Sequence, residues 1–349
     1  MNAHLITVLI TTHNYGQFIE EAIDSVLSQD LSPDQLEVLV VDDGSTDDTS
    51  ERVKKYGASI RYVYKPNGGQ ASALNFGIER ASGEIVALLD ADDQFLPGKL
   101  SRIVEVFQQH PNLGMAYHRL LEWHMQTGER REWPFSPVSG DIHKIPNDFL
   151  LYVPQPTSCI AFRRSALKPL LPIPEDVRML ADCFLVALIP FVSPILAIPE
   201  FLALYRIHGN NSFSTMEQQI PLKDRKRKLQ MWQILIPAMC NWLVQNGYTR
   251  KQPPVRGFLN RWIFYQLHEQ MLVKPPGRME FFWFLVRENH SYSHNQTYKL
   301  TAYNYAAAAL ALLFGYKNRD SMYEWRRRGL AVFESMFKTL RSALSKTKL

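Results

Sequence analysis

Cysteine is scarce: Cys159, Cys183 and Cys240 are the three in 349 residues, far apart and with no Cys-x-x-Cys pair. That argues against a disulfide framework or a cysteine zinc site and for a reducing compartment. Long apolar runs are lacking too. Residues 183–199 carry no charge, but Pro190, Pro194 and Pro199 interrupt them, so they read as a helix end, a turn and a strand within a core. Residues 305–316 reach about two-thirds of the roughly 18 apolar residues a spanning helix needs. No membrane span is expected. Met1 to His13 lacks a basic stretch ahead of an apolar one, so no signal peptide is expected. Internal repeats and low-complexity tracts are missing. What remains is an ordinary globular composition, 46% hydrophobic and 21% charged, long enough for one large domain plus a smaller one.

Charge divides the chain. Residues 1–214 hold 17 Lys+Arg against 26 Asp+Glu, and residues 215–349 hold 22 against 8. A break of this size predicts two parts with different partners, 1–214 and 215–349. The acidic part alternates strand and helix signals: strands at Leu5–Thr11, Glu37–Val41, Ile60–Tyr64 and Glu84–Leu89, helices at Gln17–Gln29, Asp47–Tyr56, Gln70–Ala81 and Pro97–Gln108. That order means an α/β fold with a mostly parallel sheet flanked by helices. From 110 to 214 the pattern is mixed, with strands at Met115–Glu122, Ser158–Arg163, Ile195–Ile198 and Leu202–Ile207 and a helix at Arg178–Leu188. Beyond 215 the chain reads as helical and basic, with helices over 224–242, 255–272, 278–288, 298–314 and 319–344.

Ligands of open α/β sheets bind beyond the carboxyl ends of the strands. The residues there are Thr11 to Asn14 after the first strand, Asp42 to Ser45 after the second, Lys65 to Gly69 after the third and Asp90 to Asp93 after the fourth. All four polar clusters lie on one rim. The last is the most telling, since three carboxylates in four residues repel one another unless a hard divalent cation sits among them.

Thr11-Thr12-His13-Asn14, Val41-Asp42-Asp43-Gly44-Ser45-Thr46-Asp47, Asn67-Gly68-Gly69 through Asn75, and Leu89-Asp90-Ala91-Asp92-Asp93 resemble, in order and spacing, the family 2 glycosyltransferases of GT-A fold. The resemblance covers roughly residues 5–212. It implies an inverting transfer of a sugar from a nucleotide diphosphate sugar, UDP-linked in first expectation with GDP or dTDP open, to a glycan, lipid-linked or cell-surface acceptor, as in polysaccharide or cell-envelope synthesis. It also implies roles. Asp43 accepts a hydrogen bond from the base, with Thr11 beneath the base and His13, Asn14 and Asp42 alongside. Asn67, Gly68 and Gly69 admit the nucleotide to the helix that carries Asn75. Asp90 lies near the ribose, Ala91 is among the residues that bind the donor, and Asp92 binds Mn²⁺ or Mg²⁺. Asp182 is the implied base, although Ala181 stands where relatives commonly carry Glu. In the segment Tyr205 to Ser212, which resembles the family's closing stretch, His208 completes the metal or meets the diphosphate and Arg206 supports it. The Gln-x-x-Arg-Trp signature of the processive members is missing, which implies single transfers.

The rival readings are a catalytically silent nucleotide-sugar-binding scaffold, for which Ala181 leaves room, and a nucleotidyltransferase. The second needs a glycine-rich basic loop after the first strand, where this chain has Thr-Thr-His-Asn-Tyr-Gly. Arg225 to Lys228 and Arg326 to Arg328, among Trp232, Trp242, Trp262, Trp283 and Trp325, suit either solvated helix faces or a surface that meets anionic lipid or an anionic acceptor. Nothing resembles a nucleic-acid recognition module. The expected location is cytoplasmic, with peripheral attachment at the inner membrane face open.

Overall fold

The computed structural model describes residues 5–249 apart from 136, 142–155, 210 and 212–221, with scattered positions between 252 and 273. Two compact units divide the chain, residues 1–258 and 259–349. The second lies almost wholly outside the described residues, as do the helices expected over 278–288, 298–314 and 319–344.

In the first unit, β1 (Ile6–Thr12), α1 (Gly16–Leu27), β2 (Leu36–Asp42), α2 (Thr49–Lys54), β3 (Arg61–Tyr64), α3 (Gln70–Arg80) and β4 (Ile85–Asp90) alternate as the periodicity predicts. Next come β5 (Gln94–Phe95), α4 (Lys99–Gln109), β6 (Met115–His124), β7 (Arg130–Glu132), β8 (Ile160–Arg163), α5 (Arg164–Leu167), α6 (Ala181–Leu188), β9 (Ile195–Ile207) and α7 (Leu222–Gln245). The sheet runs β3-β2-β1-β4-β8-β6-β9-β5, with β7 paired to β6. Its first half, β3 to β4, is parallel. Its second half is mixed: β8 runs antiparallel to β4 and β6, while β9 runs parallel to β6.

The core follows from the parallel half. Ile6, Val8, Leu9 and Ile10 of β1 are all buried, so both faces of the strand are covered. Ile19, Ala22, Ile23 and Val26 of α1 supply one cover, at helical spacing. Helix α3 supplies another and comes close enough at Gly77 that a Cβ there would lie 2.4 Å from Leu9 Cδ1. Each fully buried aliphatic side chain contributes about 1.5–3 kcal/mol.

Two expected strands, Ile195–Ile198 and Leu202–Ile207, are one. Strand β9 passes through Pro199 because the register with β6 jumps there: His118 faces Ile198 and Arg119 faces Phe201, which leaves Pro199 and Glu200 bulged out of the ladder. Proline has no N–H to donate, and a bulge is where a strand tolerates it. Helix α6 starts three residues later than expected. Leu180, at φ 61°, turns the chain into it and leaves Arg178 and Met179 outside. The first unit also continues past residue 214 through α7, whose Trp232, Leu235, Met239 and Trp242 are buried, with Trp242 Nε1 donating to the Pro169 carbonyl at 2.8 Å.

Candidate active site

The connection from β1 leads to β2 on one side, while β4 pairs on the other. A crevice opens at such a reversal of strand order. Thr11 and Asp90 are register partners across it. A cavity of about 270 Å³ lies there, lined by Thr11, Tyr15, Asp90, Asp92 and Asp182 and by Trp133 from beyond β7.

The acidic rim is a tight turn, with Asp93 N–H donating to the Asp90 carbonyl at 3.1 Å. One ligand oxygen from each of Asp90, Asp92 and Asp93 falls within 4.8 Å of the others. Burial, then the charges of Asp92 and Asp182, push the Asp90 carboxyl well above the usual carboxylate range. Burial, then Asp92 and Asp90, do the same to Asp93. Asp93 faces inward, accepting from Ser158 Oγ and from the Arg206 backbone N–H. Ala91 is buried between its acidic neighbours.

Asp92 Oδ2 lies 3.0 Å from His208 Nε2. The other imidazole nitrogen, Nδ1, is buried with no hydrogen-bond partner among the described residues. Arg206 is 1% exposed. Its Nε donates to the Asp92 carbonyl and its guanidinium reaches Glu21 Oε2, both at 2.8 Å, between the rings of Phe18 and Trp123. Oxygen donors with one imidazole suit Mg²⁺ or Mn²⁺. Beneath the rim, Lys99 is fully buried. Its ammonium donates to the Ser158 carbonyl at 2.6 Å and sits 3.4 Å from the Phe95 ring centre, and burial pulls its pKa down to about 7.

The remaining sequence-predicted residues divide between the loops. Asp42 is fully buried and engaged: Oδ1 accepts from Ser45 N–H and Oδ2 from Tyr62 OH, both at 2.7 Å. Asn14 stitches the first two loops, accepting from Thr46 N–H at 2.7 Å and donating its own N–H to Ser45 Oγ at 2.8 Å. Asn75 is bound on both sides by the backbone of Ile173, at 2.8 Å each. These three hold the loops in place. Asp43 accepts Lys65 Nζ at 2.6 Å and Gly68 N–H at 2.9 Å on Oδ1, and Gly69 N–H at 2.7 Å on Oδ2. A carboxylate has about four acceptor positions, so one is left on Oδ2. The Gly68 and Gly69 N–H groups are both taken by this side chain. His13 is exposed, with its Nδ1 3.3 Å from Asn67 Nδ2.

Asn67 also accepts from the Arg178 guanidinium at 2.6 Å, which joins the glycine loop to the approach to Asp182. Gln70 completes the join: its N–H donates to the Arg178 carbonyl at 3.0 Å, and its Oε1 accepts Ala181 N–H at 2.9 Å, capping α6. Asp182 follows in the first turn of α6. Its Oδ2 accepts from Thr157 Oγ1 at 3.2 Å, and burial raises its pKa. Thr157 is buried and lines the same cavity as Asp90 and Asp182. Sequence reasoning missed Thr157, Tyr15, Trp133 and Arg178. None lies in a recurrent motif, and only the folded chain brings them to one cavity.

Residues 7–171 match the family described as Glycosyl transferase family 2. An uncharacterized glycosyltransferase of Nostoc sp. is 36% identical over 59% of this chain and 66% of its own length. One of Mycoplasma pneumoniae is 32% identical over 52% of this chain and 60% of its own length. The chain thus spans less than two-thirds of the length of these relatives. Among solved structures, S. aureus TarS residues 1–349 in complex with UDP is 18% identical, with a TM-score of 0.63 over 90% of this chain and 93% of that one. The mannosyltransferase PcManGT from Pyrobaculum calidifontis, in complex with GDP-Man and Mn²⁺, is 20% identical, with a TM-score of 0.53 over 97% and 88%. At these identities the likeness is one of fold, the GT-A fold.

Proposed function

The chain belongs to the family 2 glycosyltransferases, and from that membership we propose an inverting, metal-dependent transfer of a sugar from a nucleotide diphosphate sugar, UDP-linked in the first instance, to a hydroxyl of a glycan, lipid-linked or cell-surface acceptor. The observation that carries this reading is the single cavity shared by Asp182 and the Asp90-Asp92 rim at the β1/β4 crevice. The UDP complex of TarS and the GDP-Man and Mn²⁺ complex of PcManGT support it by analogy of fold.

Asp92, with Asp90 and His208, would hold the divalent cation, which supplies charge neutralisation to the departing diphosphate. The remaining acceptor position on Asp43 receives the base N–H, and Thr11 lies at the crevice beside Asp90. Asp182 takes the proton from the acceptor hydroxyl as that oxygen bonds to the anomeric carbon and the bond to the diphosphate oxygen breaks. Burial serves this step twice. It raises the proton affinity of the carboxylate and keeps bulk water from competing with the acceptor.

Asp182→Asn keeps the shape and the Thr157 contact but removes the base. Transfer is expected to fall at least about 100-fold. Thermal stabilisation by UDP-sugars with Mn²⁺ is expected to persist, because donor binding does not use the proton. Transfer unchanged in this variant would place the base elsewhere. A wild-type chain that binds donor and never releases nucleotide diphosphate would instead be a nucleotide-sugar-binding scaffold.

A further inference from the structure

We propose that Arg178 is a specificity residue for the donor, and that with Asp43 it selects a nucleotide whose base carries an imide, as uracil and thymine do. This rests on the reading of Asp43 as the group that meets the base, and it names the class of base.

Arg178 stands where two parts of the site meet. Among the described residues that line the cavity it alone carries a positive charge. Its backbone is pinned from two directions: its carbonyl accepts from Gln70 N–H at 3.0 Å, and its own N–H donates to the Asp176 carbonyl at 2.9 Å. Its Cβ lies against Gly69, the residue whose N–H bonds to Asp43 Oδ2. Its guanidinium donates to Asn67 Oδ1 at 2.6 Å, and the Asn67 amide donates to the Asp43 carbonyl at 2.9 Å. The side chain thus follows the glycine loop towards Asp43. No ion pair joins it to Asp90, Asp92 or Asp182, so it does not serve the acidic rim.

The two side chains offer a ligand opposite chemistry. A guanidinium carries five N–H donors. Arg178 is exposed, and its side-chain partner among the described residues is Asn67, so donors remain. Asp43 is nearly spent. Lys65 and Gly68 fill Oδ1 and Gly69 takes one position on Oδ2, while the side chain stays 7% exposed. A base therefore meets a single acceptor with donors beside it.

Uracil and thymine fit that pattern in either orientation. Their one ring N–H is flanked by a carbonyl on each side, so whichever side faces Arg178 brings an acceptor. Guanine has an N–H with a carbonyl on one side and an amino group on the other. Its second donor needs a second acceptor, and Asp43 has none left. Cytosine and adenine turn a ring nitrogen lone pair towards the carboxylate. A site built to hydrogen-bond its ligand rejects analogues that leave its groups unpaired.

The test is calorimetry on the full chain with Mg²⁺, titrating UDP, dTDP, CDP, GDP and inorganic pyrophosphate. UDP or dTDP is expected to bind at least about tenfold more tightly than CDP and GDP. In Arg178→Met, which keeps an unbranched stem and loses the N–H groups, the preferred nucleotide is expected to weaken about tenfold. CDP and pyrophosphate are expected to stay within about twofold, which also shows that the variant is folded. Arg178→Gln, which returns an uncharged N–H donor, is expected to lose less. An equal loss for all five ligands makes Arg178 a diphosphate contact and overturns the assignment, as does a preferred nucleotide that neither variant affects. A wild-type chain in which neither UDP nor dTDP leads overturns the base selection and leaves the donor reading standing. A chain that binds none of the five strikes the donor reading, and the selection falls with it.

Discussion

Gly69 stands at the join between the glycine loop after β3 and the approach to Asp182. Its φ is +87°, and a Cβ would lie 2.9 Å from Arg178 Cβ. Gly69→Ala therefore meets both a left-handed backbone and a collision. It is expected to cost about 1–3 kcal/mol in unfolding free energy and to weaken UDP binding by loosening Arg178 from Asn67, as measured by denaturant titration and calorimetry; wild-type values for both would show that the join does not matter. Residues of this kind were partly legible. The Asn-Gly-Gly string could be seen, but its partner could not, since Arg178 lies 109 residues further on and only the fold brings them together. The four carboxylates Asp42, Asp43, Asp90 and Asp92 were all visible on the rim. Sequence could not reveal that Asp42 is spent on Tyr62 and Ser45 while Asp92 faces the cavity, because strand-end carboxylates look alike until their neighbours are placed.

Among the elements, the turn after β4 stores electrostatic cost. Burial, with the charges of Asp92 and Asp182, raises the Asp90 carboxyl above its unfolded value, so between those two values the folded chain binds more protons than the unfolded one. Stability from this group is fully present below the ordinary carboxylate range and is lost as pH rises through the raised value. In EDTA the melting temperature is expected to decline across that window. Asp90→Asn is expected to flatten the decline, and Mn²⁺ to reverse it in the wild type; scanning calorimetry from about pH 4 to about pH 8 checks all three, and a wild-type decline identical to that of the variant would remove the turn as its source. The strands feeding this turn were legible because parallel strands covered on both faces read as continuous apolar runs. Strand β9 was not, because Pro199 looks like an end until the bulge against β6 accommodates it. The start of α6 was misplaced for a related reason: a leucine at positive φ carries no sequence signal.

Over the whole molecule, charge and chemistry are separated along the chain. The acidic 1–214 segment carries the rim, and the excess of Lys and Arg lies beyond it. In α7 that excess includes the exposed Lys223, Lys226 and Arg227, beside Leu222, which is 53% exposed. No helix among the described residues is long and apolar enough to cross a membrane. We propose a peripheral contact with an anionic bilayer, each Lys or Arg contributing about 1 kcal/mol. Flotation with phosphatidylserine vesicles is expected at low salt and is expected to vanish at high salt; no flotation at low salt refutes it. The buried amine under the rim has a quieter consequence. Because Lys99 surrenders its proton near neutrality, and Arg206 is already matched by Glu21, these two groups leave the rim without a dependable resident counter-ion. On the proposed metal-dependent reading, the charge of a diphosphate guest would then be balanced by a mobile cation arriving with it or ahead of it, which ties the order of entry to this one turn.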